Sequence, residues 1–166
     1  MPIDPKTVVI EAAPPDSADA AACMNAYFAE LAQRFGGGFD PNAGASSPDT
    51  AMAPPDGIFL VARTEGRAVG CGGLKRIGPG VAEIKRMWVA GEARGLGLSR
   101  RLLAALEAEA VRIGFATLRL DTNRSLSEAQ SLYRKAGYRE IGRYNDNPYA
   151  DHFFEKTLQS QSAATT

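Results

Sequence analysis

The chain has 166 residues, and its 19 lysines and arginines balance its 19 aspartates and glutamates. That length is typical of one domain, or of two at most. A net charge of zero excludes a globally basic binder of nucleic acids or membranes, although it leaves room for a local basic patch, so we expect neither as a partner.

The cysteines and the start of the chain favour a reducing, cytoplasmic location. Cys23 and Cys71 are too few for a disulfide framework or a zinc site, so we expect two buried, reduced thiols. Residues 1–6 contain no basic segment that leads into an apolar stretch, so we expect no signal peptide. No apolar run approaches the roughly 20 residues that a membrane span requires.

The first third of the chain predicts a strand, a helix and a long loop. Residues 7–11 are a β-branched run typical of a strand, and Ser17 offers an N-cap for the helix that follows. Apolar residues then recur at helical spacing, at Met24, Phe28, Leu31 and Phe35. Residues 36–57 hold five glycines and four prolines, too many for regular structure. A loose surface excursion and a loop that covers a substrate explain that segment equally well.

The middle of the chain predicts a three-stranded meander and then a helix. The strands are expected over residues 57–63, 68–76 and 81–90. The helix has one apolar face, formed by Leu98, Leu102, Leu106, Ala110 and Ile113. Gly114 stands where a glycine commonly ends a helix.

The last third predicts a strand, a helix and two further strands. Residues 116–122 alternate leucines with charged residues, which is typical of a half-buried strand. Ser125-Leu126-Ser127-Glu128 has the pattern of a capping box and opens a helix that ends at Gly137. Short strands are expected near 138–143 and 151–158.

This order of elements predicts an α/β fold with one mixed sheet, because a meander that leads into a βαβ unit combines antiparallel and parallel pairing. The sequence contains no repeat and no linker that would separate two domains. We therefore expect a single domain over residues 1–158, and a flexible polar tail over residues 159–166.

The turn before the middle helix carries the clearest chemical signal. Its glycines, in Arg94-Gly95-Leu96-Gly97-Leu98-Ser99, let the main chain approach a ligand closely. The free N–H groups of the first helical turn then favour an anion such as a phosphate. Seven cations and two acids lie between Lys75 and Arg101, an excess that fits polyphosphate. A glycine-eased helix start with a solvated basic face explains these residues equally well.

Two familiar nucleotide-binding motifs do not fit this turn. A dinucleotide fingerprint needs a third glycine, and Arg100 stands in its place. A P-loop needs Gly-Lys followed by Ser or Thr, which the chain lacks.

The residues in and around the turn resemble the GNAT acyltransferases, which bind acetyl-coenzyme A (acetyl-CoA). Residues 94–99 are similar to the family signature Gln/Arg-x-x-Gly-x-Gly/Ala, and residues 82–89 resemble its fourth strand. Residues 132–138 resemble its late Leu-Tyr-x-x-x-Gly-Phe/Tyr helix ending. The chain departs from the family where Ser99 replaces the last Gly or Ala, and where Leu126 stands at a common asparagine position.

The resemblance implies a mostly antiparallel sheet of about seven strands, flanked by helices and splayed between the fourth and fifth strands. It implies acetyl-CoA as co-substrate, without a metal, with its pantetheine arm paired along the fourth strand. The implied cofactor-binding residues are Met87, Trp88, Val89, Arg94, Gly95, Leu96, Gly97, Leu98, Ser99, Arg100 and Asn123. The N–H group near Val89 would polarise the thioester carbonyl.

The resemblance also implies the catalytic groups. Tyr133 is the candidate acid that protonates the departing thiolate, and a tyrosine of the core is the alternative. Glu83 is the candidate base, and an ion pair with a neighbouring cation is the alternative. Strand alternation predicts that Glu83, Lys85 and Met87 share one face.

The acceptor implied by the resemblance is a primary amine of a small molecule or peptide, which attacks the thioester directly. Candidates to border its pocket are Tyr27, Glu30, Arg34 and the turn-rich residues 144–149. The single histidine, His152, is more typical of a structural residue than of a base. The identity of the acceptor and the formation of a homodimer stay open.

Two other functions compete with an N-acetyltransferase. The same fold could hold coenzyme A as a binding module without turnover. An unrelated nucleotide-phosphate enzyme would instead be stabilised by ATP or NAD.

Overall fold

The strands and helices form close to the places where the sequence predicts them. The computed structural model describes residues 2–36, 39–41, 43 and 48–158, so the predicted tail over 159–166 lies outside the described residues. The strands within them are β1 (Val9–Ala12), β2 (Gly57–Thr64), β3 (Arg67–Gly78), β4 (Val81–Val89), β5 (Thr117–Thr122), β6 (Arg139–Ile141) and β7 (His152–Thr157). The helices are α1 (Ala18–Arg34), α2 (Leu98–Ile113) and α3 (Ser127–Lys135).

The strands form one mixed sheet in the order β1-β2-β3-β4-β5-β7-β6. The pair β4 and β5, which α2 connects, is parallel, and the other neighbouring pairs are antiparallel. β4 and β5 pair only from Val81 to Glu83 and then diverge. The predicted mixed sheet, mostly antiparallel and splayed between its fourth and fifth strands, is therefore confirmed.

Alternation along the strands divides the core between the two faces of the sheet. On β2, Ile58 packs with α2 and α3, whereas its neighbour Phe59 packs with α1. On β5, Leu120 joins the cluster on the α2 side, so Asp121 faces the α1 side. The charged residues of β5 are thereby placed under α1 and the segments beside it.

The glycines inside β3 allow the helices and loops to approach the sheet. A Cβ atom at Gly72 would lie 2.7 Å from Met87 Sδ and 2.9 Å from Leu106 Cδ1. A Cβ atom at Gly73 would collide with Met52 Sδ on the opposite face. Because β3 has no side chains at these two positions, its neighbours pack closely against both of its faces.

Two of the predicted helix ends are confirmed. Ser17 Oγ accepts a hydrogen bond from the Ala20 N–H at 3.3 Å, which caps α1. Gly114 ends α2 in the left-handed conformation, with φ of 110°.

The predicted capping box at the start of α3 is wrong. α3 begins at Ser127, and Leu126 precedes it without a side-chain cap. The Ser125 N–H instead donates to Asn123 Oδ1 at 2.9 Å, which forms a turn before the helix. Asn123 therefore accepts the hydrogen bond from the Ser125 N–H that the capping-box pattern assigns to the side chain of Glu128.

The described part of residues 36–57 packs against the α1 face of the sheet. Met52 is fully buried in the cluster that contains α1, above Gly73. Asp49 forms an ion pair of 3.1 Å with Arg86 of β4. The expectation of no regular structure is wrong at Asp49–Ala51, a single 3-10 turn that delivers Met52 to the core.

The cysteines match a further expectation about the chain. Cys23 and Cys71 are both free and buried. In the part of the chain that the structure describes, no helix combines the length and the apolar character needed to cross a bilayer.

Candidate functional site

The divergence of β4 and β5 opens a cavity of about 550 Å³ between the two strands, here called the strand gap. β4 lines it from Ile84 to Val89, and β5 and its connection to α3 line it from Asp121 to Asn123. α1 covers it from one side, and the glycine turn closes one end. Tyr27, Glu30 and Arg34 of α1 all line this cavity, as predicted for residues that border the site.

A bulge in β4 changes which side chains enter the strand gap. Arg86 has a positive φ of 60°, and the β3–β4 register shifts at this point. Met87 consequently packs toward α2, on the same side as Ile84. The prediction that Met87 shares a face with Glu83 and Lys85 is wrong, because the extra residue reverses the alternation.

The glycine turn has the open form that its sequence predicts. Gly95 and Gly97 have φ of 82° and 75°, values that side chains rarely adopt, and a Cβ atom at either would meet no heavy atom within 4 Å. Gly97 caps α2 without a side chain, and the first turn carries no acid. The free N–H groups at this helix start therefore face open space with a positive helix end behind them.

The residues of the turn do not all line the strand gap. The members that line it are Arg94, Gly95, Gly97, Leu98, Ser99 and Arg100. Leu96 is not among them, and the Leu98 side chain is buried against β2 and β3 residues. The turn therefore presents mainly its backbone to the cavity.

Arg94 connects the turn to α1 and to β4. Its guanidinium donates to both oxygens of Glu30, at 2.6 and 2.7 Å, and its Nε donates to the Val89 carbonyl at 3.2 Å. Glu30 also accepts from Trp88 Nε1 at 3.1 Å. The Glu30 carboxylate is thus occupied by protein donors, which argues against its binding a cationic group of an acceptor.

The local cation excess is divided between several places. Arg101 donates to the carbonyls of Pro5 and Val8, and Arg76 pairs with Asp56. The cations that line the strand gap are Arg34, Lys85, Arg86, Arg94 and Arg100. The sequence count therefore overstated the charge near the turn, because it took residues close in sequence to be close in space.

Tyr133 lies on α3 with its side chain packed in the core, and the residue also lines the strand gap. The residue is 5% exposed, and its ring contacts Tyr138 edge-on. Among the described residues its hydroxyl has no hydrogen-bond partner. Burial, followed by the charges of Tyr27 and Asp121, raises the pKa of Tyr133, so the phenol keeps its proton at neutral pH. The core role and the acid role predicted for this residue are compatible.

Glu83 lies in a second, smaller cavity of about 300 Å³, here called the side cavity. It is 4% exposed, and its Oε2 accepts from Tyr144 Oη at 2.7 Å and from Asn145 Nδ2 at 3.1 Å. Lys85 Nζ lies 3.8 Å from its other oxygen. The structure therefore does not bring Glu83 and Tyr133 to the same cavity, although the two cavities adjoin and share five lining residues, Phe39, Lys85, Arg86, Asn147 and Tyr149.

Asp121 is a carboxylate of the strand gap that the sequence analysis did not single out. Asn145 donates from Nδ2 to Asp121 Oδ2, and Asn147 donates from Nδ2 to Asp121 Oδ1 at 3.0 Å. The available signal was its alternation with the leucines of β5. That pattern predicts a polar face but does not say what the face contacts.

Two further predicted positions have structural contacts. Asn123 lines the strand gap, but its side chain donates to the Tyr149 carbonyl at 2.6 Å and accepts from the Ser125 N–H. His152 Nδ1 lies 2.7 Å from Glu140 Oε2 and lines neither cavity. The structural interpretation of His152 is therefore favoured.

Comparison with known proteins points to one family. A model of the acetyltransferase (GNAT) family matches residues 24–138. A protein of Azospirillum brasilense named IAA acetyltransferase is 40% identical over 111 residues, which are 64% of this chain and 72% of the relative. Alignments with two further curated relatives span 64% and 54% of their lengths.

Solved structures share the fold over nearly the whole chain. One from Klebsiella pneumoniae, described as an acyl-CoA N-acyltransferase, is 30% identical with a TM-score of 0.71, and the match covers 92% of this chain and 98% of the other. A GNAT family acetyltransferase from Elizabethkingia anophelis with acetyl-CoA bound has a TM-score of 0.66 over 92% of this chain and 99% of the other. At 15% identity, the second likeness is one of fold.

Proposed function

This chain belongs to the GNAT acetyltransferase family, and on that premise we propose that it moves the acetyl group of acetyl-CoA to a primary amine of a small molecule or peptide. The reaction is a direct attack within a ternary complex. The observation that carries the proposal is the strand gap, because it joins an open helix start to a cavity that reaches a buried tyrosine.

The glycine turn fits the diphosphate of the co-substrate. Open space lies over Gly95 and Gly97, and the first-turn N–H groups up to Arg100 offer donors that no acid of that turn competes for. The remaining turn residues assigned to this role are Arg94, Leu96, Leu98 and Ser99. Leu96 acts only through the backbone conformation, since its side chain does not line the gap.

The exposed edge of β4 fits the pantetheine arm. The main-chain groups of Met87 and Val89 lie where β4 has separated from β5, so they are available to a ligand that pairs like an extra strand. Trp88 and Asn123 line the same cavity and border the arm. Arg94 must release or share the Val89 carbonyl when the arm binds, because its Nε donates there.

Proximity and orientation supply most of the rate gain in this proposal. Tyr133 donates its proton to the departing thiolate, which its protonated, unpartnered hydroxyl supports. Glu83 accepts a proton from the amine side, since it lies at the last paired position before the strands diverge. Its place in the side cavity indicates that the acceptor enters from the α1 face.

An assay of free thiol release tests the function. Acetyl-CoA is incubated with the protein and a panel of amines, amino acids and peptides, and each product is identified by mass. We expect amine-dependent thiol release and an N-acetylated product. Calorimetric binding of acetyl-CoA without release on any amine would favour the non-catalytic binding module. Stabilisation by ATP or NAD but not by acetyl-CoA would reject the family-based function.

A further inference from the structure

One amide group holds the buried carboxylate of Glu83 and the half-buried carboxylate of Asp121 at the point where β4 and β5 separate. Asn145 Nδ2 donates both to Glu83 Oε2, at 3.1 Å, and to Asp121 Oδ2. One nitrogen within hydrogen-bond distance of both oxygens places the two acids side by side. Glu83 opposes Arg119 in the last β4–β5 pair, and Asp121 follows two residues later on the same face.

This carboxylate pair lies at the junction of the two cavities. Asp121 lines the strand gap together with Tyr133, whereas Glu83 lines the side cavity. A group bound between the two acids would therefore stand at the end of the strand gap that lies away from the glycine turn. It would also be within reach of a molecule that enters from the side cavity.

The side chains that donate hydrogen bonds to the Asp121 carboxylate are neutral. The side-chain amides of Asn145 and Asn147 donate to it, and no cation among the described residues lies within ion-pair distance of it. Asp121 is half-buried beside the buried Glu83, and two neighbouring carboxylates repel each other unless a group of opposite sign lies between them. An ammonium group supplied by a ligand is the missing partner.

Building on the proposed function, we propose that Asp121 binds the ammonium of the acceptor, while Glu83, which Asn145 holds beside Asp121, takes the first proton of that ammonium. The neutral nitrogen then attacks the thioester carbon, and a new C–N bond forms. The C–S bond breaks with its electron pair on sulfur, which takes a proton from Tyr133. The nitrogen gives up a second proton, which restores Tyr133, and Glu83 releases the first to solvent.

The walls around the pair indicate what the acceptor carries beside its amine. Phe39 and Tyr149 line both cavities, with ring centroids 4.8 Å apart, and Phe35 stacks on Tyr149 at 5.5 Å. Four cations of the side cavity outnumber its three acids; the cations are Lys75, Lys85, Arg86 and Arg119, and the acids are Asp40, Glu83 and Asp146. A flat apolar group suits the aromatic wall, and a second ammonium is disfavoured by the cations. The acceptor class is therefore a monocationic arylalkylamine.

Asp121→Asn tests this role with little change of shape. The probe is 2-phenylethylamine, with Glu140→Gln as the control variant, since Glu140 pairs with His152 outside both cavities. We expect KM for the amine to rise by about tenfold to a hundredfold in Asp121→Asn, the range for a hydrogen bond to a charged group. The affinity for acetyl-CoA, measured by calorimetry, should not change, and Asp121→Glu should restore part of the loss.

Wild-type protein alone provides a second test, which holds even if the variants fold poorly. We expect 2-phenylethanol, the neutral analogue, to compete with 2-phenylethylamine at least about tenfold more weakly than a charged, non-acetylated analogue such as the trimethylammonium. A linear diamine should be a poorer acceptor than 2-phenylethylamine. Equal inhibition by the neutral and charged analogues, preference for the diamine, or unchanged KM in folded Asp121→Asn overturns the inference. Absence of acetyl-CoA binding or of thiol release with every amine instead rejects the proposed function.

Discussion

The two ends of the strand gap are built in different ways. At the glycine turn the ligand-facing surface is backbone from consecutive residues, with Gly95 and Gly97 in conformations that exclude side chains. At the carboxylate pair the surface is made of side chains from β4, β5 and the β6–β7 connection, joined by hydrogen bonds. The difference teaches that each end should respond to a different kind of substitution. The turn should be sensitive to backbone changes, and the carboxylate end to changes of single polar atoms.

The largest effect is expected when the hydroxyl group of Tyr133 is removed. Tyr133→Phe keeps the buried ring and removes the proposed acid, so kcat should fall by about a hundredfold while KM for acetyl-CoA is unchanged. Steady-state thiol release measures both constants.

A neighbouring tyrosine is the matched control for Tyr133→Phe. Tyr138 is also buried, but its hydroxyl donates to Glu107 at 2.8 Å and it lines neither cavity. Tyr138→Phe should lower the melting temperature and leave kcat unchanged. Equal kcat in wild type and Tyr133→Phe would show that the thiolate leaves without this acid.

The next largest effect is expected from the backbone of the turn. Replacing Gly95 and Gly97 together by Ala forces two side chains into left-handed conformations and puts methyl groups into the proposed diphosphate position. Affinity for acetyl-CoA should fall more than about tenfold, because the methyl groups displace hydrogen bonds to the charged diphosphate. Isothermal titration measures the loss.

Gly66→Ala is the control for the turn variant. Gly66 has the same φ as Gly97, 75°, and equally open surroundings, but lies in the β2–β3 turn. It should lose stability without losing affinity. A similar loss of affinity in both variants would mean that strain, and not the ligand, explains the effect.

A smaller effect on stability is expected at Glu155, outside the strand gap. Its carboxylate pairs with Arg119 Nε at 2.8 Å and with Arg139 at 2.7 Å, and the hydrogen bond from Arg119 is the main cause that lowers its pKa. Glu155→Gln should lower the free energy of unfolding by about 1 kcal/mol at pH 7. A lowered pKa in the folded state stabilises above the unfolded value of about 4.3, and this contribution disappears as the pH falls through the folded value.

Urea denaturation of Glu155→Gln and wild type at pH 7 and near pH 3 checks this sign. The difference between the two proteins should be largest at pH 7 and should shrink in acid. A difference that grows as the pH falls would contradict the assignment of the pair.

The smallest effect is expected at His152. It pairs with Glu140 and lines neither cavity, so His152→Gln should leave kcat and both KM values within about twofold of wild type. A tenfold loss of kcat at unchanged stability would indicate that His152 acts as a base in the reaction.

The glycine turn could be predicted from the sequence because its residues are consecutive and its glycines have a local conformational cause. The bulge at Arg86 could not, since a non-glycine residue with positive φ has no sequence signal and depends on contacts with Asp49 and Phe28. Local rules also failed before α3, where the Ser125 N–H donates to Asn123 and not to Glu128.

The carboxylate pair was beyond prediction for a different reason. Asn145 lies 62 residues from Glu83 and 24 from Asp121, and only the sheet brings them together. Without the register of β4 on β5, Asp121 is one of many alternating charges. Resemblance to a family identified Glu83 and Tyr133, but it did not place them in different cavities.

The central claim is that the glycine turn binds the diphosphate of the co-substrate and that the edge of β4 binds its pantetheine arm. NMR spectroscopy tests it most directly, by following individual backbone amides while coenzyme A is titrated into isotopically labelled protein. The account predicts that the resonances of Gly95, Gly97, Ser99 and Arg100 shift first and furthest, followed by those of Met87 and Val89. The amides of β1 and of the Gly66 turn should stay in place. Saturable shifts that leave the glycine turn unmoved, or no shifts at all, would contradict it.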